Sequence, residues 1–322
     1  MKRILSLTLI AVIALTAFTA CNGSNDDVID IGIIQIVEHE SLDEVRNSFI
    51  KSLAAKGYVD GENIKIDFQS AQGDTNNLTT IAQKFRNDKK DIVVAIATPS
   101  AQIMANETDD IPIVFSAVTD PVDAKLVESL DAPGSNVTGT SDWISAEALM
   151  GVAREISPDI KKLGALYSTR EANSASTVSD LEEYCNANGI ELVKNAVQNT
   201  NEIQTAAQSL VSKVDAIFIP TDNDVASSMK VVSRVCSEAK IPTFVGADSM
   251  VENGGLISLG VDYSLLGEKT ADMVIEIING KSPAEMPVVV LDQLKTVVNT
   301  TTAKEIDIEI PEKILSNSKI IE

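Results

Sequence analysis

The sequence predicts an α/β protein built as two doubly wound parallel-sheet lobes, joined by a hinge that the chain crosses three times. Short apolar runs alternate with stretches of helical spacing along nearly the whole chain, the pattern of strand–helix crossovers in a sheet covered on both faces. At 322 residues the chain outgrows one ordinary core and fits two units of about 100–150 residues. One shape also occurs twice. Ile92–Ala97 runs into Thr98 and is followed by an Ile-Pro strand, Ile111–Phe115; Asp215–Pro220 runs into Thr221 and is followed by Ile241–Val245, again Ile-Pro.

Taken in order, Val28–Ile36 is rich in β-formers, and Leu42–Ala55 has apolar residues at helical spacing (Leu42, Val45, Phe49, Leu53) before Gly57. Ile64–Phe68 is the second strand, and Leu78, Ile81, Ala82 and Phe85 line the next helix. The fully apolar runs Ile92–Ala97 and Ile111–Phe115 read as buried strands, each with a helix start behind it. For the second of these, Asp120 is expected to cap a helix with Pro121 at its first position. Asn136–Asp142 leaves the first lobe as a further strand.

The pattern then restarts. Ala146–Ile156 is a helix stopped by Ser157-Pro158, Leu163–Tyr167 a strand, Ser174–Asn188 a helix closed by Gly189, and Ile190–Val193 a strand. Helix Glu202–Val211, strand Ala216–Pro220, helix Val225–Ala239, and strands Pro242–Val245 and Gly255–Val261 complete the second set. Leu265–Ile278, ended by Gly280, is a helix expected to pack back on the first lobe, and Thr296–Asn299 returns to the second. The resulting division is 30–141 plus 262–290 for lobe one and 142–261 plus 291–322 for lobe two.

Ahead of both lies a basic start, Lys2-Arg3, the apolar stretch Ile4–Phe18, and Phe18-Thr19-Ala20-Cys21, which resembles a bacterial lipoprotein signal. The apolar stretch falls short of the roughly 20 residues of a stable span. Residues 1–21 are therefore assigned as signal, with Cys21 the lipidated residue, and 22–29 as a tether. A net charge of −21 argues against nucleic acid and against anionic lipid as partners, so membrane contact is expected through the anchor alone. Cys185 and Cys236 sit in helical patterns and read as buried thiols.

The usual catalytic frames are missing: no phosphate loop, dinucleotide fingerprint or nucleophile elbow occurs. His39 stands alone among histidines, between Glu38 and Glu40, and reads as a rim group before it reads as a base. Asp222-Asn223-Asp224 fails as a calcium loop, because Ser227 and Ser233 take the required glycine and glutamate positions. Neither metal nor cofactor is called for.

What remains is binding chemistry at strand ends, where open parallel sheets hold ligands. Thr98, Ser100, Ser116, Ala117 and Thr119 offer hydroxyl and N–H donors without charge, which suits a carboxylate; helix capping is the competing role. Asp248 follows the Ile-Pro strand of the second lobe and suits an ammonium, again against capping. Asn173, Ser174, Thr221, Asp222 and Asn223 lie at helix starts and either cap or orient a ligand. Gln35 ends the first strand as a pocket amide, while Asp142 and Trp143 lie where the chain first changes lobe.

The blocks Gly32–His39, Ala97–Ser100, Ile111–Pro121, Asn136–Asp142 and Leu259–Tyr263 resemble, in order, the TrpX-like substrate-binding proteins of ABC importers. The resemblance spans nearly the whole mature chain and implies a periplasmic-binding-protein type I fold. It implies a lipoprotein receptor closing on tryptophan, tyrosine or phenylalanine, with a membrane permease and ATPase as partners. It also implies that the turns at Thr98, Ser116–Thr119, Asn173–Ser174, Thr221–Asn223 and Asp248 face the cleft. The aromatic preference comes from the resemblance alone. Alternatives are a surface sensor or adhesin, a sugar or nucleoside receptor, and an enzyme using His39.

Overall fold

Packing in the computed structural model, which describes residues 28–322, is organised by two sheets. The signal segment with Cys21, and residues 22–27 of the tether, lie outside the described residues. In the first lobe the chain alternates β1 (Ile29–Gln35), α1 (Glu40–Ala55), β2 (Ile64–Ser70), α2 (Thr75–Asp88), β3 (Ile92–Ile96), α3 (Thr98–Glu107), β4 (Ile113–Ser116) and β5 (Val137–Ser141). In the second it runs α4 (Ala146–Ile156), β6 (Lys162–Ser168), α5 (Ala172–Asn188), β7 (Glu191–Val197), α6 (Ile203–Val211), β8 (Ala216–Ile219), α7 (Asn223–Ser227), α8 (Met229–Glu238), β9 (Thr243–Val245), α9 (Asp248–Glu252) and β10 (Ile257–Val261). The chain is completed by α10 (Tyr263–Ile278), β11 (Val289–Val290), β12 (Leu294–Asn299), α11 (Thr300–Glu305), α12 (Glu312–Leu315) and β13 (Ser318–Ile321).

One sheet has the order β11-β5-β4-β3-β1-β2 and the other β13-β12-β10-β9-β8-β6-β7. Pairing is parallel throughout except where β12 returns antiparallel to β10. The strands β3 and β8 are buried along their whole length, which is why they read as continuous apolar runs with no alternation. α10 leaves β10 of the second sheet and packs on α1 of the first lobe. A methyl group on Gly267 would stand 2.1 Å from Ser48 Oγ and 2.3 Å from the Val45 carbonyl, so the two helices touch backbone to backbone only with glycine there.

Several expectations are corrected. No helix follows β4: Asp120 Oδ1 does accept from the N–H groups of Val122 and Asp123, but the chain closes one turn and Lys125 at φ +59° ends it. The single helix expected over Val225–Ala239 is two, broken at Ser228. β7 extends to Val197, and the edge strands β11 and β13 add to the count. Cys185 and Cys236 are buried free thiols.

Candidate functional site

Both sheets present their strand carboxyl ends to one cleft, and its walls are the turns after β1, β4, β5, β6, β8, β9 and β10. A small pocket lies there. Its polar walls are His39, Thr119, Asp142, Asn173, Thr221, Asp222, Asn223 and Tyr263, and its apolar ones Leu42, Ala117, Ala226, Ala247 and Met250. A second small pocket adjoins it, walled mainly by Ile144, Leu149, Phe218, Pro220 and Leu259. Thr119, Asp142 and Thr221 border both.

Asp142 is the junction. Its carboxylate is 3% exposed and accepts hydrogen bonds from Thr119 Oγ1 at 2.9 Å and Tyr263 Oη at 3.2 Å. Since the Thr119 proton points at Asp142, the contact of 3.0 Å between the Thr119 and Thr221 hydroxyls runs from Thr221 to Thr119, across the cleft. Burial pushes the Asp142 carboxyl above its ordinary range, and neither a lysine nor an arginine pairs with it among the described residues. Burial and the neighbouring Asp142 also raise the Tyr263 phenol, which keeps it a donor.

The second-lobe wall is held by a carboxylate that sequence reasoning missed. Glu171 Oε2 accepts from Asn173 Nδ2 at 2.9 Å, the Asn223 N–H at 3.1 Å and Asn223 Nδ2 at 2.7 Å, fixing both amides. Burial, then the charge of Asp222, pushes its carboxyl up to about 8. Asp222 itself caps α7, accepting from the Val225 and Ser168 N–H groups and from Ser174 Oγ. Glu171, Asp222 and Asp224 approach metal-ligand spacing, yet their oxygens are taken: Arg170 lies 2.8 Å from Asp224, and the remaining donors are backbone N–H, amide and hydroxyl groups. The cluster is held together by protein donors and fits no cation.

Four buried polar atoms near the strand ends have no protein partner: Asn173 Oδ1 and His39 Nδ1, in residues of the cavity wall, and Thr98 Oγ1 and Ser100 Oγ at the start of α3, which border neither cavity. Buried polar groups are otherwise paired, so orphans at a ligand cleft mark where a ligand supplies the missing partner. Three predicted residues are instead consumed by the scaffold. Gln35 bonds Val37 O, Asp43 and Arg46; Ser116 joins Thr140 and Thr270; Ser174 serves Asp222. Asp248 lies apart from the cavity, half-buried in an open groove beyond Tyr263 that also holds Asp262, Lys295 and Lys319. Burial raises its carboxyl too, and its close partner is the adjacent Ser249 N–H. Trp143 is half-buried and borders neither cavity.

Hydrogen bonds across the cleft, Ser41 to Ser249 at 2.6 Å and His39 to Asn223 at 3.2 Å among them, hold the lobes shut. With this geometry in view, residues 30–321 match the family of ABC transporter substrate binding proteins. The chain belongs to that family. It is 43% identical over 321 residues to a tyrosine-binding protein of Clostridioides difficile strain R20291, covering 96% of this chain and 93% of the relative. A Streptococcus pneumonia structure, an ABC domain in complex with L-Trp, superposes at a TM-score of 0.88 with 38% identity, covering 91% of this chain and 99% of that one. The ligand-free, open structure of a Clostridium difficile substrate binding protein with adhesive properties covers the same shares at 43% identity, but its TM-score is 0.70. This substrate-binding protein is thus more similar in sequence to the open structure and more similar in shape to the ligand-bound one. The fold is that of type I periplasmic-binding proteins. Its family is one of binding proteins rather than enzymes, and among the described residues no helix is long and apolar enough to cross a membrane.

Proposed function

We propose that this substrate-binding protein captures a free aromatic amino acid outside the cytoplasm and delivers it to an ABC importer. The observation that carries the ligand class is Asp142: a buried carboxylate without a cation, at the junction of the two cavities. A buried charge is costly unless paired, and a ligand ammonium supplies the partner. Asn173 Oδ1 is a second acceptor beside it, since Asn173 Nδ2 bonds the Thr221 carbonyl at 2.7 Å. Thr98 and Ser100, at the start of α3, receive the carboxylate with the helix N-terminal N–H groups. The ammonium role passes from Asp248, which the cavity does not reach, to Asp142.

The aromatic side chain is supported by the tyrosine-binding relative and the L-Trp complex. Residues 30–141 with 262–290 form one closing body and 142–261 with 291–322 the other, a membrane permease and an ATPase are the partners, and Cys21 carries the lipid anchor. An adhesive role, as named for one relative, makes no use of the cleft chemistry. A thermal-shift screen against free amino acids tests the reading: a ligand at 100 times its dissociation constant adds about 2.7 kcal/mol of stability. Stabilisation by an aromatic amino acid is expected; stabilisation by sugars alone would overturn it.

A further inference from the structure

The orientation of one imidazole is set by a chain of hydrogen bonds that starts in the other lobe. Glu171 Oε2 accepts from the Asn223 N–H, Asn223 Nδ2 and Asn173 Nδ2, so it is the unprotonated oxygen of that carboxyl and the amide cannot reverse without setting its own oxygen against it. Asn223 Oδ1 therefore faces His39 Nε2 at 3.2 Å as an acceptor, and Nε2 must carry the hydrogen. Burial lowers the affinity of this imidazole for a second proton, so the ring is neutral near pH 7. His39 Nδ1 is then a lone-pair acceptor, enclosed and without a protein partner, in a residue of the cavity wall.

Its surroundings are those of a ring chamber. Leu42 lies one helical turn beyond His39, Ala226 one turn beyond Asn223, and Ala247 and Met250 complete an apolar wall on that side of the cavity. Met250 adds a polarizable sulfur suited to an aromatic face. Asp142 and Asn173, the acceptors assigned to the ammonium, line the same cavity with Thr119 and Thr221.

Resting on the aromatic amino-acid reading, we infer that His39 is the side-chain specificity residue: its Nδ1 accepts a hydrogen bond from a donor on the ligand ring, the tyrosine phenol O–H or the tryptophan indole N–H. Phenylalanine leaves that acceptor orphaned and binds more weakly. The penalty arises because Nδ1 is buried, so without a donor on the ligand it stays unpaired.

Calorimetry on tag-free protein with L-tyrosine, L-tryptophan, L-phenylalanine and tryptophan methylated on the indole nitrogen tests the inference. Tyrosine or tryptophan is expected to bind about tenfold or more tightly than both donor-less ligands. His39→Leu, checked for an unchanged melting temperature, is expected to bring all four within about threefold of one another. Phenylalanine binding wild type as well as tyrosine and tryptophan, or a gap that survives His39→Leu, would overturn the inference. Binding of none of the four would instead overturn the aromatic amino-acid reading. His39 is the single histidine of the chain, so nitrogen NMR of the wild type gives an independent readout. The Nε2–H tautomer is expected in the free protein, with the Nδ1 signal shifting for tyrosine and not for phenylalanine. An Nδ1–H tautomer would equally overturn the assignment.

Discussion

Replacing Asp142 by asparagine keeps the side-chain shape and removes the charge. In the closed cleft this carboxylate is 3% exposed, and its side-chain donors are two neutral hydroxyls, Thr119 and Tyr263. A carboxylate offers about four lone-pair positions, so two donors leave room for an ammonium. Breaking a buried charged pair from one side costs about 3–5 kcal/mol. In dissociation constant that is roughly 150- to 5,000-fold. Stability should move the other way. Ligand-free wild type bears the desolvation of Asp142 whenever the cleft closes, as its raised pKa records, whereas the asparagine does not. Calorimetry with L-tyrosine and a melting curve without ligand therefore give opposite signs: binding falls by at least two orders of magnitude, and the melting temperature holds or rises. Asp248→Ala, outside the cavity, should stay within about threefold of wild type. Affinity within about threefold of wild type in a folded Asp142→Asn protein would refute the reasoning. Severe loss in Asp248→Ala would return the ammonium to that strand end.

Three further outcomes are expected. Thr98→Val and Ser100→Ala each remove a hydrogen bond to a charged carboxylate, worth about 1.5–3 kcal/mol, so affinity for tyrosine should fall about 10- to 150-fold by calorimetry without loss of fold. Glu171, raised from 4.5 to about 8, keeps its proton in the folded chain where the unfolded chain has lost it. Its contribution to ligand-free stability is complete below about pH 4.5 and is lost as pH rises through about 8; denaturant titrations should show that decline, and Glu171→Gln should flatten it. Expressed with its native leader in a bacterium, the chain should partition into detergent and Cys21→Ala should not, with equal partitioning counting against the anchor.

The fold was legible because the physics that forms it is local in sequence. A strand covered on both faces tends to a continuous apolar run, as β3 and β8 are, and the helices between strands carry their apolar stripes at fixed spacing. The elements that escaped lack such a signal. β11 is two residues long, and β13, at the sheet edge, is half-buried at its ends and exposed in its middle. Asp120-Pro121 has the chemistry of a helix start, but the chain turns away at Lys125 after a single turn.

The site was legible by the strand-end rule, which brought Ala117, Thr119, Asp142, Asn173, Thr221, Asp222 and Asn223 to the cavity wall. The rule names position and not pairing. It could not show that Ser174 would be taken by Asp222, or Ser116 by Thr270, since those partners lie far along the chain. Nor could it separate two acidic strand ends: Asp142 faces the cavity while Asp248 is screened from it by Tyr263. Glu171 and Tyr263 were missed for the same reason. One is defined by the amides it orients and the other by the carboxylate it donates to, and both contacts are tertiary.

The central claim is that the two lobes close on a zwitterion with an aromatic side chain. Calorimetric titration of the mature chain with L-tyrosine and L-tryptophan, beside their N-acetyl forms, tests it most directly. The expected result is saturable one-to-one binding of at least one free amino acid and none of its acetylated form, because acetylation removes the charge that Asp142 requires. Equal binding of the free and acetylated ligands would contradict it.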